Sequence, residues 1–301
     1  MSSASLAVLI ATRNRPLNLL RAMKSIAASE PQPAVVIVVS SGDNVSEFIN
    51  SIQWPFILVH EHIQGYGQIR QKQKGIELLP EYIEWVLFMD DDIQLDSKAI
   101  FNALALKQYF PEPILGIGFG TVSVKKQSVL KSFTSRKNLG KVTSDGRNLD
   151  YASSRRVIPT DWLNGISMWN KSILHKYDFP YLDSKYSICE DLIFSYSVSR
   201  LGRIVFEPLC QFSFQFDEPK LVNSFDAFRA NAYWRTFFVL SNSNLSRFRF
   251  LAVQLYRTLK FLLLPYGGLG MRKDVCLIYF DILGITLKNS DPISMLKTRQ
   301  V

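Results

Sequence analysis

Apolar and polar residues alternate in blocks along the first third of the chain. Leu6–Ala11 (LAVLIA) and Ala34–Val39 (AVVIVV) are unbroken apolar runs, the pattern of strands covered on both faces. Between them, Pro16 opens a stretch in which Leu17, Leu20, Met23 and Ile26 recur at three-to-four spacing. That predicts a helix with proline in its first turn. Phe56–His60 reads as a short third strand, Gln68–Leu79 as a helix, and Trp85–Met89 (WVLFM) as a buried strand running into three aspartates. Strands alternating with helices predict parallel pairing and right-handed crossovers. Polar residues close three of these strands, at Thr12–Arg15, Ser40–Asp43 and Asp90–Asp92. Ligands bind beyond the carboxyl ends of such strands.

The pattern is less regular further on. Ile114–Val124 predicts a strand, about Glu190–Leu201 a helix and Arg203–Glu207 a strand. After Asp217-Glu218-Pro219 the chain turns to aromatic and basic helices. We therefore expect a domain boundary near residue 218, followed by a helical extension at 219–301.

Composition narrows the class. With 301 residues and 47% hydrophobic content, the chain can bury a large core without staples, which excludes disorder and collagen-like structure. Three cysteines without CxxC spacing argue against a disulfide framework or zinc site and favour a reducing, cytosolic setting. No targeting segment is expected, since Leu6–Ala11 is cut short by Arg13. Charges interrupt both apolar stretches near the C-terminus, so no spanning helix is expected there. The net charge of +9 is unevenly spread. Residues 125–156 carry +7, residues 220–301 carry +8, and the remainder is −6. The acidic remainder holds the carboxylates of chemical interest.

Asp90, Asp91 and Asp92 directly follow a buried strand. Adjacent carboxylates repel unless a cation or donor offsets them, and oxygen-only ligands suit Mg²⁺ or Mn²⁺. The same residues read equally as a solvated acidic turn or helix start. Glu190-Asp191 opens a second helix, as an ordinary acidic first turn or as the carriers of a general base. Gly116, Gly118 and Gly120 precede β-branched residues, so they read as strand glycines and not as a phosphate loop. His60 and His62 share one strand face and would need further ligands to hold a metal.

Taken in order, these motifs resemble glycosyltransferase family 2, the inverting, metal-dependent enzymes with the GT-A fold. Leu6–Pro16 is similar to the family's opening strand and T-x-N turn, and Val38–Asp43 to its second strand and nucleotide turn. Lys72–Ile76 stands where an R-N-x-G-I helix is usual. Phe88–Asp92 is similar to the DxD segment, Asn164-Gly165 to a glycine turn, and Glu190-Asp191 to the E-D helix. The resemblance covers about residues 6–210 and implies an α/β GT-A architecture, a Rossmann-like, mostly parallel sheet flanked by helices, with a catalytic domain over 1–218 divided into a nucleotide-sugar-binding half at 1–110 and an acceptor half at 111–218. It also implies roles. Thr12, Asn14, Arg15, Ser41, Asp43, Arg70, Lys72, Asp90, Asp91 and Gly165 would bind the nucleotide-sugar. Asp92, with Asp90, would hold Mn²⁺ or Mg²⁺. Asp191 would be the catalytic base beside Glu190. There are two departures from the family: Ser40 or Ser41 stands where an aspartate reads the base, with Asp43 the only acid nearby, and Gln73 replaces an asparagine.

The expected partners are a nucleotide-sugar donor and a saccharide or lipid-linked saccharide acceptor, as in bacterial surface polysaccharide or glycolipid synthesis. In residues 247–264, Phe248, Leu251, Leu255, Leu259 and Leu262–Leu263 lie at helical spacing among Arg247, Arg249, Arg257 and Lys260. Such a helix suits an anionic membrane surface, on the inner face of the cell membrane, or packs on the domain with a solvated basic face. A nucleotidyltransferase would want a glycine-rich turn after the first strand, which reads Thr12-Arg13-Asn14-Arg15-Pro16 instead. A nucleic-acid-binding module would want aromatic residues among the basic ones at 125–156, where only Phe133 and Tyr151 occur. Nucleic acid is therefore not expected as a partner.

Overall fold

The computed structural model describes residues 5–65, 67–106, 109–110, 112–122, 138–179, 188–215, 224–263 and 269–288. Their contacts divide the chain into two compact units. The first comprises Met1–Lys141, Leu149–Phe179 and Asp191–Lys220, and the second Val142–Asn148, Pro180–Glu190 and Leu221–Val301. Of the basic stretch at 125–156, residues 125–137 lie outside the described residues, and 138–156 form turns with one isolated bridge between Val142 and Asn148.

The first unit is built on a nine-stranded sheet of order β3-β2-β1-β4-β8-β6-β9-β5, with β7 paired to β9. Its opening elements are β1 (Leu6–Arg13), α1 (Pro16–Ala27), β2 (Val35–Ser41), α2 (Ser46–Asn50), β3 (Ile57–Ile63), α3 (Gln68–Glu77) and β4 (Trp85–Asp90). The four strands pair in parallel, as their strand–helix alternation predicts. β1 and β2 are buried on both faces because helices cover both sides. Leu19, Met23 and Ile26 of α1 join Val8, Ile10, Val36 and Val38 in one core. On the other face α3 comes so close that a Cβ at Gly75 would lie 2.5 Å from Leu9.

Beyond β4 the sheet is mixed. β5 (Ile93–Leu95), α4 (Ala99–Ala105), β6 (Ile114–Thr121), β7 (Ile158–Pro159), β8 (Ser167–Asn170), α5 (Glu190–Ser199) and β9 (Arg203–Phe214) complete the unit's elements. β8 runs antiparallel between β4 and β6, and β6 pairs parallel to β9. The expected parallel pairing thus holds across the first four strands and again between β6 and β9, with antiparallel pairs at β8, β5 and β7. The three glycines of β6 make room for side chains. A Cβ at Gly116 would sit 2.4 Å from the Trp169 ring and one at Gly118 2.6 Å from Leu163. The pairing with β9 shifts register between Gly118 and Gly120.

The second unit consists of α6 (Ser224–Leu240), α7 (Arg247–Leu263) and α8 (Leu269–Lys288), with the turn at 142–148. Tyr233, Trp234, Phe238, Phe250, Val275 and Ile282 are buried. Along α7 the buried positions are Phe250, Gln254 and Thr258. The apolar stripe Phe248, Leu255, Leu259 and Leu263 is exposed, Phe248 by 82% and Leu263 by 83%. Among the described residues no helix is long and apolar enough to cross a membrane.

Candidate active site

The parallel register of β1 and β4 pairs Ala11 with Asp90, so the residues just beyond both strands meet. Thr12 Oγ1 donates to Asp91 Oδ2 at 2.7 Å. Arg15 Nη1 donates to Asp91 Oδ1 at 3.2 Å and lies 3.7 Å from Asp92 Oδ2. Asp91 is turned inward, 5% exposed. Burial raises its pKa to about 6, with the charges of Asp90 and Asp92 adding to the rise and the Thr12 hydroxyl and Arg15 opposing it. Three adjacent carboxylates are thus made tolerable by one hydroxyl and one guanidinium.

The start of α3 supplies two further contacts. Gln68 Nε2 donates to Asp90 Oδ1 at 2.7 Å. Gln71 Nε2 bridges the carbonyls of Thr12 (2.6 Å) and Val39 (2.8 Å), holding the ends of β1 and β2 together. Neither glutamine stands out in the sequence. The available signal is a polar residue at each end of a three-residue interval, on a helix that must cover a buried sheet. Asn14, at φ +55°, accepts the Asp43 amide at 2.8 Å and packs on Gly42, where φ is +76°. That contact closes the turn after β1 onto the turn after β2.

A second route runs from Asp90 towards Asp191 inside the same unit. A Cβ at Gly165 would lie only 3.8 Å from Asp90 Oδ2. The neighbouring Asn164 amide donates to the Tyr151 hydroxyl at 2.7 Å. Full burial holds the Tyr151 phenol far above its ordinary pKa; the Asn164 amide opposes the rise, and the charges of Asp191 and Asp150 add to it. Asp191 therefore stands within electrostatic reach of Tyr151. Its Oδ1 accepts the Leu192 amide at 2.8 Å at the start of α5, while Glu190 is buried, 5% exposed. Tyr151, unmarked in sequence, links the two acidic clusters.

The other expected site residues have different surroundings. Lys72 is 1% exposed and places its ammonium 5.6 Å from the centroid of the Phe88 ring. Arg70 donates to the Gln64 carbonyl at 2.7 Å and, with Gln73, Lys74 and His175, lines a cleft of about 630 Å³. Asp43 is exposed. Ser41 is 1% exposed, its Oγ without a hydrogen-bond partner. Ser40, fully buried, shares its hydroxyl with His60 Nε2 at 2.9 Å and His62 Nδ1 at 3.0 Å. Burial, with His62 adding and Glu61 opposing, holds His60 below its ordinary pKa. A larger cleft of about 730 Å³, lined by Glu84, Trp85, Ile114 and Lys171 among others, opens at the amino ends of β4 and β6. It is remote from the aspartates, and strand-end chemistry does not use that side.

The donor chemistry suits a hard divalent cation. Asp90 and Asp92 offer carboxylate oxygens at the end of β4, while Asp91 is committed to Thr12 and Arg15. Among the described residues no group of three His, Cys, Asp or Glu side chains converges. An ion here would rest on one or two carboxylates and complete its shell with phosphate oxygens and water, as Mg²⁺ commonly does.

The strand–helix order and the mixed central sheet make up a GT-A fold. Residues 7–112 match the family described as Glycosyl transferase family 2. No curated protein matches the chain significantly. Among solved structures, the crystal structure of S. aureus TarS 1-349 in complex with UDP-GlcNAc superimposes with a TM-score of 0.62 at 14% identity, covering 97% of this chain and 83% of that one. The same TarS fragment in complex with UDP gives a TM-score of 0.58 at 12% identity, covering 98% and 90%. A longer TarS structure gives a TM-score of 0.58 at 14% identity, covering 97% of this chain and 50% of that one.

Proposed function

We propose that this protein is an inverting glycosyltransferase that moves a sugar from a nucleotide-diphosphate sugar to an acceptor hydroxyl, in the synthesis of a bacterial surface polysaccharide or glycolipid. The observation that carries this reading is the continuous arrangement Arg15–Asp91/Asp92, Asp90–Gly165, Asn164–Tyr151 and Asp191 within one unit. It supports a reading in which the ends of β1 and β4 handle the diphosphate and Asp191, at the start of α5, acts as the base. The TarS complexes with UDP and UDP-GlcNAc support a nucleotide-sugar donor.

On this reading Thr12, Asn14 and Asp43 shape the nucleotide turn, and Arg15 faces the diphosphate. Lys72 and Arg70 add positive charge from α3. Asp92 and Asp90 would hold Mn²⁺ or Mg²⁺, which would neutralise the diphosphate as it departs. Asp191 takes the proton from the acceptor hydroxyl while that oxygen attacks the anomeric carbon opposite the leaving group, so the configuration inverts. Glu190 supports the start of α5. Asp191→Asn is expected to lower kcat by roughly 10²–10⁴-fold with donor affinity nearly unchanged. Near-normal transfer by that variant would sink the assignment of the base.

The exposed stripe Phe248–Leu255–Leu259–Leu263, rimmed by Arg247 and Lys260, is proposed to rest on an anionic membrane surface. The full chain should float with phosphatidylglycerol vesicles, and Phe248→Ser/Leu263→Ser should not. Equal flotation of the two would remove the proposal.

A further inference from the structure

The turn at 142–148 is gathered onto α6 and α7 by arginines. Arg235 Nη1 donates to the Gly146 carbonyl at 2.8 Å, and its Nη2 reaches Asn148 Oδ1 at 3.1 Å and Cys189 Sγ at 3.6 Å. Arg249 Nη1 donates to Ser144 Oγ at 2.7 Å. Gly146 adopts φ +79°, and a Cβ there would lie 2.4 Å from Val239, so the turn is seated directly on α6. Arg147, from the same turn, gives its Nε–H to Asp145 Oδ2 at 2.6 Å.

The charges in this cluster do not balance. Arg257 of α7 is held below the ordinary arginine pKa by burial first and by the charges of Arg235 and Arg147 next, with Asp145 opposing. Burial resists the ionisation of Asp145, but the Thr143 hydroxyl and Arg147 outweigh it and keep the carboxyl below its ordinary pKa. Among the described residues, one carboxylate, bonded to Arg147, stands against the charges of Arg147, Arg235 and Arg257. Arg235 spends its hydrogen bonds on a carbonyl, an amide oxygen and a sulfur, which satisfy donors without cancelling charge. Its Nε is buried and has no partner. Arg147 is half exposed beyond its bond to Asp145.

Uncompensated like charges lower stability unless a counter-charge arrives. Guanidinium forks match the tetrahedral oxygens of phosphate in charge and in geometry. We infer that Arg147, Arg235 and Arg257 form a binding site for a phosphate monoester or diester. The site belongs entirely to the second unit. Joined to the proposed function, it selects an acceptor that carries phosphate, whether soluble or as a lipid headgroup. The binding test stands whether or not transfer is detected.

The full chain is titrated with inorganic phosphate against chloride of equal ionic strength, as wild type, Arg257→Gln and Arg147→Gln. Loss of one charge-assisted contact is expected to weaken phosphate binding about tenfold. Phosphate held at the β-strand ends would be unaffected by these substitutions. A second arm measures flotation with phosphatidylglycerol and with phosphatidylcholine vesicles. Weakened phosphate binding in the variants supports the site for a soluble phosphate. Flotation on phosphatidylglycerol that is lost in the variants, with no response to inorganic phosphate, supports it for a headgroup. Variants that match wild type in both arms overturn the proposal.

Discussion

Two clusters of like charge in this molecule are handled differently. At the end of β4 three carboxylates sit side by side, but Thr12 and Arg15 are aimed at Asp91 and Gln68 at Asp90. In the second unit, among the described residues, Asp145 pairs with Arg147 while Arg257 feels the charges of Arg235 and Arg147 against that one carboxylate. The acidic cluster is partly compensated from within, and on the proposed reading a cation on Asp92 and Asp90 would complete the compensation. The basic cluster is left with a surplus, and a surplus held by the fold is a binding property. The +9 of the whole chain says neither of these things.

Asp91 offers the largest way to break the comparison. Its folded pKa of about 6 stands above the ordinary 3.8, so the folded protein binds more protons than the unfolded one between those values. Stability therefore falls as pH rises from about 4 to 6 and stays lowered above that range. In EDTA at pH 7.5, Asp91→Asn is expected to gain up to about 3 kcal/mol and to lack that slope in urea unfolding. An Asp91→Asn variant less stable than wild type at pH 7.5 would mean that Arg15 and Thr12 overcompensate the charge. A smaller effect sharpens the other side. In low salt without phosphate, Arg257→Gln should be more stable than wild type by a few tenths of a kcal/mol, the scale of exposed charge pairs. That gain should vanish as phosphate is added.

The parallel half of the fold was legible because LAVLIA, AVVIVV and WVLFM can only be strands covered on both faces, and their polar ends mark a ligand side. The antiparallel wedge of β8 was not legible. Ser167–Asn170 is four residues long, and its place between β4 and β6 depends on partners distant in sequence. β9 was expected to end near Glu207 yet runs to Phe214, its polar residues accommodated along a strand with three pairing partners. The site divides in the same way. The aspartates announce themselves as a run, whereas Gln68, Gln71 and Tyr151 gain meaning only when the fold brings them to Asp90, Thr12 and Asn164. The pair His60 and His62 shows the limit of spacing: alternation puts both on one face, but only the structure gives them Ser40 as their common partner.

The central claim is that the β-strand ends bind a nucleotide-sugar through a cation on Asp92 and Asp90. The most direct measurement is thermal unfolding of the full chain with a panel of nucleotide-sugars, in Mn²⁺ and in EDTA, for wild type and Asp92→Ala. The account predicts that one donor raises the Tm of wild type in Mn²⁺, that EDTA abolishes the rise, and that Asp92→Ala does not show it. A donor that stabilises both proteins equally in EDTA, or a panel without response in any condition, would contradict it.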